Sequence, residues 1–111
     1  MAKKDLDWGN IGFAYHVTDK RYVANYKDGK WDEGGLTSDP NVVINECAGI
    51  LQYCQECFEG LKAYTTEDGS IVTFRPDLNA ERMMDSASRL EMPVFPKERF
   101  LEALDEVVKA N

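Results

Sequence analysis

Two kinds of hydrophobic spacing divide the chain near residue 75. Before it, apolar and aromatic residues come in short runs broken by turn-forming pairs. After it, they recur every three or four residues with little glycine. The first pattern is that of strands and the second that of helices.

In the first part, YVANYKDGKW (22–31) sets Asp28-Gly29 between aromatic residues. A tight hairpin turn needs positive φ, which this pair tolerates, so a hairpin is expected near 21–36. LKAYTTEDGSIVTFRP (61–76) repeats the arrangement around Glu67-Asp68-Gly69-Ser70 and predicts a second hairpin near 58–75. GGLTSDPN (34–41) reads as a loop, because Pro40 disfavours helix in the residue before it. CAGILQYC (47–54) reads as a short helical turn. In CFEGLKAY (57–64) a charge and a glycine, Glu59-Gly60, interrupt what is otherwise a strand-like run. Two accounts of that pair stand side by side. One is a β-bulge with Glu59 in solvent. In the other, Gly60 permits close backbone approach and polar partners at a domain or subunit interface hold Glu59.

The second part predicts two helices. RPDLNAERMMDSASRLEM (75–92) places Pro76 in the first turn, where its missing N–H is harmless, and Asp77 beside it. Leu78, Met83, Met84, Ala87 and Leu90 form its apolar side, and Pro93 is expected to end it. PKERFLEALDEVVKAN (96–111) has an apolar face of Phe100, Leu101, Leu104, Val107 and Val108. Strands followed by helices predict an α+β fold: an antiparallel sheet with two C-terminal helices packed on it. The 111 residues are expected to form one small domain, 1–111. The last helix runs to Asn111, which suggests a piece of a longer chain.

Composition narrows the function classes. The net charge is −7, which argues against a nucleic-acid or anionic-membrane surface. No apolar run approaches the roughly 20 residues of a membrane span. MAKKDLDWGN has lysines without an apolar stretch behind them, so a cytoplasmic location is expected. Cys47, Cys54 and Cys57 make an odd count, which fits a reducing compartment. Cys54 and Cys57 have C-x-x-C spacing, but there is no second pair, and the single histidine, His16, is far away. No metal site is expected, and the cysteines read as small, partly buried thiols.

Candidate chemistry is sparse. There is no nucleophile elbow, P-loop or dinucleotide fingerprint. Arg75, Arg82 and Arg89 recur every seven residues, near one side of the predicted helix. They read either as a solvated face paired with Asp85 or as an anion site. A guanidinium offers parallel donors that match phosphate oxygens. Tyr53, Phe58 and Phe13 are core residues or the lining of an apolar pocket. His16 has no carboxylate or nucleophile at a telling spacing.

LQYCQECFEGLKAY, FRPDLNAERM, SASRLEMP and VVKAN together resemble the N-terminal part of branched-chain amino-acid aminotransferases. GFAYHVTDKRYVANYKDGKWDEGGL is similar to the family's opening strands and hairpin, so the resemblance covers nearly the whole chain. It implies the small domain of a fold type IV enzyme dependent on pyridoxal 5'-phosphate (PLP). Such enzymes transfer the amino group of leucine, isoleucine or valine to 2-oxoglutarate and act as homodimers. The cofactor-bearing lysine belongs to the family's larger C-terminal domain. No lysine here, Lys62 of FEGLK included, matches it, so the chain is expected to hold no catalytic residue and to be inactive alone. Arg82 corresponds to the contact with the PLP phosphate. Phe13, Tyr53 and Phe58 correspond to aromatics lining the substrate pocket. Two alternatives remain: the small domain of a D-amino-acid aminotransferase or aminodeoxychorismate lyase, and a stand-alone dimerisation domain without chemistry.

Overall fold

A computed structural model of the chain describes residues 4–111. It is α+β, with short antiparallel ladders first and two long helices last. Among the described residues nine elements follow in order: β1 Arg21–Val23, β2 Tyr26–Lys27, β3 Lys30–Trp31, β4 Gly35–Thr37, α1 Gly49–Tyr53, β5 Ala63–Thr65, β6 Ile71–Thr73, α2 Pro76–Arg89 and α3 Lys97–Ala110. The single expected sheet is instead three separate two-stranded ladders, β1–β4, β2–β3 and β5–β6.

The first hairpin is longer than its turn alone suggests. Asp28 (φ 52°) and Gly29 (φ 80°) make the tight turn, with Tyr26 opposite Trp31 and Lys27 opposite Lys30. The same two arms pair again farther out, where Val23 faces Gly35 and Arg21 faces Thr37. Between these ladders, residues 24–25 on one arm face 32–34 on the other. The extra residue is taken up at Gly34, whose φ of 72° marks a bulge. GGLTSDPN is therefore partly strand: Gly35–Thr37 pairs with β1, and the loop proper starts at Ser38. The loop reading gave weight to Pro40 and missed the pairing arm before it.

The second hairpin turns through Thr66–Gly69. Gly69 N–H donates to Thr66 O at 3.0 Å, and Gly69 itself has φ 84°. Its strands begin only at Ala63; residues 54–62 have no regular structure. The expected start near 58 fails because Glu59 and Gly60 are held by α2 rather than by a strand partner.

Helix α2 starts with Pro76 in its first turn, as the sequence suggests. It stops at Arg89, before Pro93. Glu91 takes the left-handed conformation (φ 55°); its N–H donates to Ser88 O at 3.1 Å and that of Met92 to Ala87 O at 2.8 Å. This crossed pair of bonds is a Schellman motif, here with glutamate where glycine is usual. Helix α3 packs on α2 and against the first hairpin. Trp31 links them: its Nε1 donates to Val94 O at 3.0 Å, and its ring meets Tyr26 and Phe95 edge-on. Arg99 lies over the Phe95 ring and donates to Asp32 O and Glu33 O (2.7 and 2.8 Å).

Among the described residues only Ala80 and Ala87 are buried hydrophobic residues, both on α2. The predicted apolar face of α3 is half-buried at every position. The chain exposes 9107 Å², whereas a compact monomer of its mass exposes roughly 6,200 Å². Its radius of gyration is 15.7 Å, against roughly 13 Å for a compact domain of this length. These helices and hairpins form a scaffold with much apolar surface still uncovered.

Candidate functional site

Asn79 and Arg82 stand three residues apart on α2, so both side chains leave the same side of the helix. Glu59 approaches them from the irregular segment before β5. Arg82 grips its carboxylate along one edge: Nε donates to Oε1, and Nη2 donates to Oε2 at 2.9 Å. Asn79 Nδ2 donates to Glu59 Oε2 at 2.9 Å and to Gly60 O at 3.1 Å. Glu59 therefore finds its polar partners on α2 of the same chain, not at a domain or subunit interface as expected, and it does not point to solvent. Gly60 has no positive φ, and an added Cβ would meet only the Phe58 ring, at 3.4 Å.

The pair is asymmetric. The Glu59 side chain is 6% exposed and that of Arg82 is 69% exposed. Hydrogen bonds from Arg82, then from Asn79, hold the Glu59 carboxyl down to about 2. The same contact raises the pKa of Arg82, so the guanidinium stays charged. A guanidinium carries five N–H groups. Two face Glu59, and Nη1 bonds to none of the described residues. The Nη1–Nη2 edge is left as a pair of parallel donors facing outward, the geometry that fits phosphate or carboxylate oxygens.

The other arginines are placed differently. Arg75, in the left-handed conformation (φ 46°) just before the helix, turns back onto Asp77 through Nε (2.9 Å) and Nη2 (2.7 Å). Arg89 lies beside an open depression with Asp85, Ser88 and Glu91. Among the described residues Asp85 forms no ion pair with either Arg82 or Arg89, because Arg82 reaches across to Glu59 instead. His16 Nε2–H donates to Ile11 O at 2.8 Å, a local backbone tie. Cys47 and Cys54 are exposed and only Cys57 is half-buried, so two of the thiols are more open than expected.

The three aromatics are nearly bare: Phe13 110%, Tyr53 85% and Phe58 89% exposed. None belongs to the core, and none lines the depression beside Arg89 or the one between His16 and Asp39. Among the described residues the chain does not enclose a pocket around them. Sequence reasoning missed Asn79. Its signal was the Asn-x-x-Arg spacing, which puts the two side chains on one helix side; nothing in the sequence pointed to Glu59 as their target.

An outward arginine edge and three bare aromatics thus lie on a scaffold with much apolar surface uncovered. The chain is 59% identical over 97% of its length to the branched-chain-amino-acid aminotransferase of Haemophilus influenzae. It is 47% identical over 97% of its length to that of Helicobacter pylori. It is 41% identical over 96% of its length to a methionine aminotransferase of Arabidopsis thaliana. It is thus homologous to the N-terminal portion of the branched-chain-amino-acid aminotransferases. The chain spans about a third (32%) of the length of these two bacterial proteins. No family model matches it.

Proposed function

We propose that the chain is the N-terminal small domain of a two-domain, PLP-dependent transaminase of fold type IV. The complete protein would pass the amino group of leucine, isoleucine or valine to 2-oxoglutarate and work as a homodimer. The remainder of the protein would carry the catalytic lysine. The observation that carries this reading is 59% identity across 97% of the chain to a protein named branched-chain-amino-acid aminotransferase. The excess exposed surface supports it, since a domain built to pack on another leaves apolar area open.

The donor set fits the cofactor. Arg82 offers a fixed positive charge and a free pair of parallel N–H groups, which suit a phosphate dianion. Bound PLP supplies the electron sink that amino-group transfer needs. The roles of this chain are to anchor and to enclose. Arg82 holds the phosphate, while Phe13, Tyr53 and Phe58 form an apolar wall once covered by the rest of the protein. Such a wall gains about 0.8 kcal/mol for each methylene it buries. It discriminates weakly among aliphatic side chains that differ by one carbon.

A second substrate reading has its own support. The Arabidopsis methionine aminotransferase shares this segment at 41% identity, so the segment accompanies a thioether as well as branched side chains. Transamination of leucine, isoleucine, valine, methionine and D-alanine by the complete protein separates the readings. The expected order puts the branched substrates first. A preference for methionine supports the second reading. Activity on D-alanine without leucine would contradict both, and no transamination at all would favour a stand-alone interaction domain. The cytoplasm is the proposed compartment, supported by three free thiols. The segment itself does not set the compartment, because relatives named chloroplastic share it.

A further inference from the structure

The Glu59–Arg82 pair inverts the usual arrangement of a surface ion pair. Ordinarily both partners are solvated and mobile, and the contact contributes little. Here the acid is the covered member and the arginine the open one. Glu59 is fixed from two sides: Asn79 holds both its Oε2 and the neighbouring Gly60 carbonyl. A carboxylate fixed in this way acts as a clamp. It takes the Nε–Nη2 edge of Arg82 and leaves the Nη1–Nη2 edge as the only pair of parallel donors that can meet an incoming anion.

We propose that Glu59 is a positioning residue for Arg82, with Asn79 as its support, and that it sets the direction in which the guanidinium meets the cofactor's phosphate. The proposal rests on the reading of Arg82 as the phosphate contact. It also accounts for an acidic residue beside an anion site. A free carboxylate there would repel phosphate. One already bonded by two N–H groups of Arg82 and one of Asn79 has its oxygens occupied and its charge offset. An arginine without the clamp has four rotatable side-chain bonds and loses more freedom on binding. Fixing it beforehand lowers that entropic cost of association.

The test compares equilibrium binding of PLP with that of pyridoxal, which lacks the phosphate, in the complete protein. The variants are Arg82→Ala, Glu59→Gln, their combination, and Asn79→Ala. The expected result is that Glu59→Gln weakens PLP about tenfold, the range of one charge-assisted hydrogen bond. Pyridoxal binding should stay unchanged, which also shows that the variant is folded. Because Glu59 acts through Arg82, the double variant should bind PLP no worse than Arg82→Ala alone. Asn79→Ala should show a smaller loss of the same kind, and it decides the matter if Glu59→Gln does not fold. An equal loss of PLP and pyridoxal would make Glu59 merely structural and overturn the proposal. So would unchanged PLP binding, or losses that add in the double variant. If Arg82→Ala itself spares PLP binding, the phosphate reading fails along with this one; if only the Glu59 and Asn79 variants are silent, that reading survives.

Discussion

The side-chain amide of Asn111 closes on the backbone of Lys20. Its Oδ1 accepts from Lys20 N–H at 3.0 Å, and its Nδ2 donates to Lys20 O at 2.9 Å. The same Nδ2 donates to Val107 O at 2.9 Å, satisfying a carbonyl at the end of α3. One residue thus ties the entry to β1 to the C-terminal turn of a helix 91 positions away. Asn111→Ala removes all three bonds and should lower stability by about 1–3 kcal/mol. Asn111→Asp should be at least as harmful, because it loses the donors and puts negative charge at a helix C-terminus. Urea unfolding of the three proteins gives the ranking; an Asp variant as stable as the parent would contradict it.

Glu91 ends α2 in a conformation that suits glycine. Its φ of 55° costs a residue with a Cβ about 1 kcal/mol. Glu91→Gly should therefore raise the unfolding midpoint, although a more flexible residue usually lowers it. A lower midpoint would mean that the glutamate side chain contributes more than its backbone strain removes.

The carboxyl of Glu59 is lowered from 4.5 to about 2, first by Arg82 and then by Asn79. A depressed acid contributes stability that is fully present above its unfolded value and lost as pH falls through its folded value. The window therefore runs from about 4.5 down to about 2. Asp68, held by Thr66, and Asp77, held by Arg75, are also lowered to about 2 and share its acid end. Glu59→Gln should make stability fall less steeply across this window. Parallel curves for parent and variant would show that Glu59 titrates normally.

The uncovered aromatics carry a prediction for residues 1–111 by themselves. With Phe13, Tyr53, Phe58 and Phe74 all at least 85% exposed, the segment should self-associate as concentration rises and bind a hydrophobic dye. Sedimentation at increasing concentration checks this. A monomer without dye binding would mean that these side chains find cover within the segment.

What the sequence made legible follows from how local each signal is. The hairpin at Asp28-Gly29, the turn at Gly69 and the two helices rest on a few adjacent residues or on a repeated spacing, and all appear. The pairing of β4 with β1 was half legible: the hairpin expected over 21–36 reached into β4, but the loop reading of 34–41 opposed it, because a bulge at Gly34 shifts the register and three residues are too few for a pattern. The stop of α2 was assigned to Pro93, since a left-handed glutamate leaves no mark of its own. Arg82 stood out only by its resemblance to a family motif; its spacing equally suited a pair with Asp85. Its true partner lies 23 residues away, where neither period nor propensity reaches.

On the proposed reading, Arg82 anchors a phosphate-bearing cofactor in the complete protein. The most direct measurement is the dissociation constant of PLP for the parent and for Arg82→Ala, read by spectrophotometric titration. The loss of a bidentate charge-assisted contact should weaken binding by about tenfold or more. Equal constants would contradict the claim and return Arg82 to the role of a structural partner of Glu59.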